Sequence, residues 1–179
     1  METMTATRAD ARTEWENPMA TDPITRENAE NDDNSKKIVI ESRFGPVSIN
    51  TDQSIFFPHG LIGLDHNLHF AMSDIPSRNL GGLKLLQNLN DATLSFVVLP
   101  LNLENALIEK QDLVEACSIL NINQENLLTL LIVCVHRTPE GSKVTANLRA
   151  PVIIDVKDKM GIQYVFPHNK YDVSYEISQ

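Results

Sequence analysis

Three of the five histidines lie in one short segment of the chain, and histidine nitrogens are common metal ligands. His59, His66 and His69 fall within Phe-Pro-His-Gly-Leu-Ile-Gly-Leu-Asp-His-Asn-Leu-His, where Asp65 adds a carboxylate. On a strand, however, His66 and His69 would point to opposite faces, and no second Cys or His cluster completes a ligand set. A glycine-rich turn entering a strand is the preferred interpretation. A small-ligand- or metal-binding β-barrel enzyme with its site near these histidines remains the alternative.

Other catalytic patterns are missing from the sequence. It contains no G-x-S-x-G motif, no P-loop and no dinucleotide-binding fingerprint. His136 lies two residues after Cys134, on the same strand face, which is typical of a core cysteine beside a strand-end histidine. Cys117 and Cys134 both lie in apolar segments, so we expect buried thiols in a reducing compartment. The sequence therefore predicts a protein that is not an enzyme and has no cofactor or metal.

Composition narrows the classes of partner. The chain has 179 residues, 42% of them hydrophobic, and a formal net charge of -9. Direct binding of nucleic acid, for example by an OB-like domain, is disfavoured because phosphate neutralisation needs clustered Lys and Arg. No apolar run approaches the roughly 20 residues that span a bilayer. The first residues do not resemble a secretory signal, so we expect a cytoplasmic protein with no membrane partner.

Charge also divides the chain. Residues 1–35 carry nine acidic residues and three arginines, a net charge of -6 that leaves -3 for residues 36–179. Ile24 is the only Val, Leu, Ile or Phe there, so this stretch cannot bury enough apolar surface to order itself. We expect residues 1–35 to be a disordered acidic tail and residues 36–179 to be the folded domain. The tail is interpreted as a solvating extension, and an acidic arm for a basic partner, anchored by Trp15, is the alternative.

Hydrophobic alternation predicts the elements of the folded domain. Apolar residues recur at every second position over 143–156, which predicts one long strand that at Pro151 is either a sheet edge or bent at a bulge. Residues 127–135 are apolar on both faces, and a turn at 138–141 should join the two strands into an antiparallel hairpin.

Shorter patterns complete the domain. Leu113, Val114, Cys117 and Leu120 share one side of a helical repeat. We therefore predict a mainly β fold, an antiparallel barrel or sandwich with one or two short helices. Further strands are expected near residues 38–40, 47–49, 55–57, 68–72, 83–87, 94–99, 162–166 and 171–177.

Several of these segments, in their order along the chain, resemble the FliW flagellar assembly factor family. The first segments are Phe-Pro-His-Gly-Leu-Ile-Gly-Leu at 57–64, Leu-Gln-Asn at 86–88 and Phe-Val-Val-Leu-Pro at 96–100. Thr-Ala-Asn-Leu-Arg-Ala-Pro-Val-Ile-Ile at 145–154 follows, and Gly-Ile-Gln-Tyr at 161–164 comes after it. The resemblance extends from about Ile38 to Ile177.

The resemblance implies a cytoplasmic, non-enzymatic β-barrel protein with two partners, flagellin and the translational regulator CsrA. In that family, binding of CsrA relieves repression of flagellin mRNA, and rising flagellin competes for the assembly factor and restores repression. The negative charge of this chain would repel RNA and attract a basic RNA-binding protein. We expect a monomer when no partner is bound.

Seven residues of the matching motifs are candidates for partner binding or for holding the motifs in shape. Gly60 and Gly63 suit turn geometry, and the amides of Gln87 and Gln163 could satisfy buried backbone groups or contact a partner. A structural role is the preferred interpretation for both amides. The remaining three are Asn147, Arg149 and Pro151, of which the first two should point away from the core. Acidic candidates for a CsrA contact are Glu41, Asp65 and Asp155.

Overall fold

Alternating apolar side chains build a mainly β structure in the computed structural model, which describes residues 36–64, 68–76, 82–101, 107–139 and 141–177. Single turns of 3-10 helix lie at Thr51–Gln53 and Gln124–Asn126. In these residues the strands are β1 Lys37–Ser42, β2 Gly45–Asn50, β3 Ile55–Phe57, β4 Leu68–Asp74, β5 Lys84–Asn88, β6 Ser95–Leu101, β7 Leu127–Thr138, β8 Gly141–Ala146, β9 Val152–Asp155, β10 Met160–Gln163 and β11 Tyr175–Glu176, and the helix is α1 Lys110–Leu120.

The central sheet closes on itself. Strands β3 to β7 form an antiparallel meander, each paired with the next along the chain. The first half of β7 pairs with β9, β9 pairs with β10, and β10 pairs in parallel with β3. These seven strands make a closed barrel, which confirms the prediction of a mainly β barrel or sandwich fold with a short helix.

Large apolar side chains fill the barrel. A single buried cluster draws on six of the seven strands through Ile55, Phe57, Phe70, Leu86, Val98, Leu130, Val152 and Ile154. The seventh strand, β10, contributes Gly161, and a Cβ atom added there would lie 2.4 Å from the ring of Phe57. Real Cβ atoms do not approach other atoms so closely, so glycine at 161 makes room for the phenylalanine.

A second apolar cluster covers the outside of the barrel. Helix α1 contributes Leu113 and Ala116, and hairpin β1–β2 contributes Val47 and Ile49. They pack with outward-facing barrel residues such as Leu131. The predicted helix is thereby confirmed, and the barrel wall is apolar on both sides over much of its surface.

The long strand predicted for 143–156 is wrong in one respect. The chain leaves β8 after Ala146 and resumes as β9 at Val152, and both strands pair with β7, one along each half. The Asn147 Oδ1 accepts a hydrogen bond of 2.9 Å from the Ala150 amide, which closes a turn in place of the strand. Pro151 lacks an N–H for a ladder, so the break falls where an edge or a bend was predicted.

Three further predictions need correction. Cys134 is exposed, because β7 extends beyond its pairing with β6 after Val133, whereas Cys117 is buried as expected. The strand predicted at 162–166 is β10, which starts two residues earlier and ends at Gln163. The last strand is only β11, because the backbone before it is held elsewhere, with Asp172 O accepting from the amides of Leu148 and Arg149.

Candidate partner-binding surface

Strand direction brings the candidate motifs to one end of the barrel. Strands β3, β5 and β10 end there, and β4, β6 and β9 begin there. Residues 58–64, 89–94 and 147–151, which follow β3, β5 and β8, therefore lie at this end, which we call the motif end. Gly60, Gly63, Asn147, Arg149 and Pro151 lie in these loops.

Gln163, at the end of β10, joins two of these loops. Its Oε1 accepts a hydrogen bond of 2.9 Å from the Ile62 amide. Its Nε2 donates to the Ala150 carbonyl oxygen at 3.2 Å. Both ends of one amide are thus used by backbone groups.

The loop that Gln163 holds turns at two glycines. Gly60 and Gly63 have φ angles of 66° and 84°, values that a residue with a Cβ rarely adopts. Between them Leu61 points into the barrel core, and Ile62 points out with 63% of its surface exposed. Ile62 was not among the residues selected from the sequence, because Leu61 is equally apolar and lies between the same glycines, yet only Ile62 is exposed.

Arg149 and Pro151 hold the segment that follows β10. The Arg149 Nε donates to the Phe166 carbonyl oxygen at 3.0 Å, and its guanidinium also bonds the Asn169 side chain. The Pro151 carbonyl accepts from the Tyr164 amide at 2.9 Å. Together with the Asn147 turn, these bonds fix the shape of the loop at 147–151.

Gln87 fixes the third loop from within the protein. Its side chain is fully buried, and Nε2 lies between 3.0 and 3.3 Å from the carbonyl oxygens of Asn88, Asp91, Ala92 and Leu94. A buried side chain that satisfies backbone groups does not contact a partner directly.

A polar cluster that the sequence analysis missed joins α1 to the segment before β11. Asp112 accepts hydrogen bonds from the Tyr171 hydroxyl and from Lys170 Nζ, the latter at 2.9 Å. Lys170 also pairs with Glu109 at 2.6 Å. The hydrogen bond from Tyr171, followed by that from Lys170, lowers the pKa of Asp112, whereas burial raises the pKa of Tyr171. We call these four residues the helix clasp.

The histidines do not come together as a site in the described residues. His69 stacks near Phe56, with ring centroids 4.9 Å apart, and His59 is exposed on the loop after β3. His66 and Asp65 lie outside the described residues. In the described part of the chain, no three His, Cys, Asp or Glu side chains are placed to hold a metal ion.

The two other acidic candidates differ in their surroundings. Glu41 is exposed on β1, while Asp155 is 8% exposed and its Oδ1 accepts from the amides of Lys157 and Asp158. Over the described ranges, no helix has the length and apolar character needed to cross a membrane.

Comparison with known proteins identifies the family. The family model described as FliW protein matches residues 37–177. The chain is 30% identical to the flagellar assembly factor FliW of Alkaliphilus metalliredigens over 149 residues, covering 78% of this chain and 85% of that protein. It is 31% identical to its counterpart in Thermotoga maritima, covering 79% and 94%. A crystal structure of the flagellar assembly factor FliW shares the fold, with a TM-score of 0.55, 21% identity and coverage of 78% of this chain and 95% of that one. The chain belongs to the FliW family.

Proposed function

We propose that this protein is a cytoplasmic flagellar assembly factor that binds newly made flagellin and, alternately, the translational regulator CsrA. It acts by binding and not by catalysis. Binding of CsrA relieves repression of flagellin mRNA, and flagellin competes with CsrA for the protein. The observation that carries the proposal is the exposed Ile62 on a loop whose backbone is held by Gln163.

An apolar side chain on a braced loop suits protein recognition. Folding leaves Ile62 in water, where it gains nothing from the core, yet two glycines and the Gln163 hydrogen bond hold its backbone in one conformation. Pre-ordering lowers the conformational entropy that is lost on binding. Side chains that become buried at the centre of an interface on binding dominate the affinity of many complexes. We therefore place the partner-binding surface at the motif end, centred on Ile62.

The charge of the chain supports the choice of a basic regulator as one partner. A net charge of -9 repels RNA and attracts a protein whose surface binds RNA. Such attraction speeds association more than it strengthens the complex. The part of the affinity that depends on Ile62 should therefore persist at high salt, while the association rate falls.

Isothermal titration calorimetry of the full chain with flagellin and with CsrA from the same organism tests the proposal. We expect saturable binding to each, weakened at least tenfold, or about 1.4 kcal/mol, by Ile62→Ser for at least one of them. Ile119→Ser is the matched control, because Ile119 is 61% exposed on α1, almost the same as Ile62 at 63%.

Binding to neither partner by a folded wild-type chain would contradict the function. The protein could instead bind both partners, with Ile62→Ser and Ile119→Ser weakening that binding equally. This result would agree with the function but contradict the placement of the binding surface.

A further inference from the structure

A second surface lies on the outer face of β10, beside the motif end. There a groove runs between the C-terminal end of α1 and the turn that joins β9 to β10. Its apolar lining is formed by Pro58, Leu120, Ile122, Met160 and Ile162. Met160 is 45% exposed, so the groove offers an open apolar contact.

The charged side chains that line this groove are carboxylates. Asp155, the last residue of β9, and Asp158, in the β9–β10 turn, are these residues. The C-terminal end of α1 also faces it through Leu120 and Asn121, and the last turn of the helix contains no Lys, Arg or His. A helix C-terminus carries a partial negative charge, which adds to that of the two carboxylates.

The two lysines of the turn, Lys157 and Lys159, are not among the residues that line this groove. Lys159 Nζ donates to the Asp52 carbonyl oxygen at 2.6 Å, and Lys159 lines a different depression that opens beside Gln53 and Ile55. His59 also lines this groove. An apolar floor bordered by two carboxylates and a helix C-terminus is complementary to a segment that carries apolar side chains and positive charges.

We propose that this groove binds a cationic amphipathic segment of a protein partner, with an apolar side chain against Met160 and a Lys or Arg beside Asp158. Strand addition is not available to the occupant, because both edges of β10 are already paired, with β3 and with β9. The occupant therefore binds through its side chains, as an amphipathic helix does in a groove.

The proposal goes beyond the function proposed above and does not depend on which protein supplies the segment. Pro58 and His59 line the groove and directly precede Gly60 of the motif end. A partner that covers Ile62 could place a basic segment in the groove within the same interface. The chemistry of the groove is nevertheless testable without either proposed partner.

The test is an NMR titration of the ¹⁵N-labelled full chain with a short peptide of leucine and lysine at helical spacing. We expect saturable shifts of the amides of Asn121, Ile122, Asp158, Met160 and Ile162. The same peptide with glutamate in place of lysine should bind at least tenfold more weakly. Sodium chloride should weaken the lysine peptide, since exposed charges are screened.

Two variants with matched controls locate the interaction. Asp158→Lys should weaken the lysine peptide at least fivefold, and Glu41→Lys, an equal charge reversal on exposed β1, should weaken it less than twofold. Met160→Ser should weaken it at least threefold, and Val39→Ser, at a position 69% exposed, should leave it unchanged. Each variant is checked for folding from its amide spectrum.

Three results would overturn the proposal. They are shifts confined to other surfaces, equal loss of affinity in Asp158→Lys and Glu41→Lys, and absence of saturable binding up to about 1 mM peptide. Failure of the chain to bind flagellin or CsrA would leave this result unaffected, so the two proposals can fail separately.

Discussion

At the scale of single residues, amide side chains shape the motif end. The Gln163 side-chain oxygen accepts from the Ile62 amide and its nitrogen donates to the Ala150 carbonyl, and the Gln87 nitrogen donates to a carbonyl oxygen of the loop after β5. These hydrogen bonds hold both side chains against the protein's own backbone and do not direct them toward a partner. Their effect on binding is indirect, because they hold the backbone that presents Ile62.

Gln163→Ala should therefore destabilise the protein and weaken partner binding. It removes one exposed and one partly buried hydrogen bond, each worth about 0.5–1.5 kcal/mol. Urea unfolding measures the loss of stability, and Gln53→Ala, an exposed glutamine on the 3-10 turn after β2, is the control. Equal stability of the two variants would show that the amide does not brace the loops.

At the scale of elements, β10 closes the barrel against β3, and the fit there depends on Gly161. Because the added Cβ would lie 2.4 Å from the Phe57 ring, Gly161→Ala should force the ring or the strand to move. Overpacking of this kind costs about 1–3 kcal/mol.

Thermal unfolding checks this, and Phe57→Leu supplies the second half of the test. If the clash is the cause, the double variant Gly161→Ala/Phe57→Leu should be more stable than the sum of the two single changes predicts. If the free-energy changes of the two single variants simply add in the double variant, the destabilisation by Gly161→Ala does not come from a clash with Phe57.

The helix clasp between α1 and the C-terminal segment should respond to acid. The folded state lowers the pKa of Asp112, so its stabilising effect is present above the ordinary carboxyl pKa and is lost as the pH falls through the lowered value. Tyr171→Phe removes the hydroxyl donor, so it should raise the pKa of Asp112 toward its ordinary value and reduce stability at neutral pH.

Urea unfolding between about pH 6 and pH 2 measures this dependence. At neutral pH, Asp112→Asn should have a lower free energy of unfolding than the wild type. On acidification, that free energy should fall less in the variant than in the wild type. A wild type and an Asp112→Asn variant with parallel pH curves would contradict a role for the clasp.

Most elements could be predicted, because side chains that alternate between the two faces of a strand also alternate between apolar and polar in the sequence. The phases of β3 to β7 and the face of α1 follow directly from that pattern. The break at 147–151 was not predicted, because Leu148 and Ala150 keep the alternating apolar phase while a side-chain bond from Asn147 turns the backbone. Likewise, Tyr171 and Val173 alternate as a strand would, yet the Tyr171 hydroxyl bonds to α1.

The candidate surface was harder to predict than the fold. Gln163 and the two glycines were identified from motifs, but the residue they present, Ile62, was not. A hydrogen bond between residues 101 positions apart, such as that of Ile62 with Gln163, has no local signal in one sequence. The clasp is similar, because Asp112 and Tyr171 are 59 positions apart.

Across the whole molecule, most of the net negative charge and the family match lie in different parts of the chain. Residues 1–35 hold -6 of the net charge of -9, while the family model matches residues 37–177. We propose that residues 36–179 fold without the preceding segment and keep the partner-binding surface. The segment then acts on association through its charge.

Removal of residues 1–35 should leave the melting temperature within about 2 °C, because this segment has only one Val, Leu, Ile or Phe with which to add to a core. Association with CsrA should become slower and less dependent on salt, since the net charge falls to -3. Stopped-flow kinetics at two salt concentrations measures the rate. A large fall in melting temperature would contradict the proposed boundary.

The central claim is that one folded protein exchanges two partners, and a competition experiment tests it most directly. Fluorescently labelled CsrA is bound to the full chain, and unlabelled flagellin from the same organism is added while fluorescence anisotropy is followed. We expect flagellin to release CsrA completely, with a midpoint set by the two affinities, and Ile62→Ser to shift the curve. Flagellin that binds the protein and leaves CsrA in place would contradict exchange.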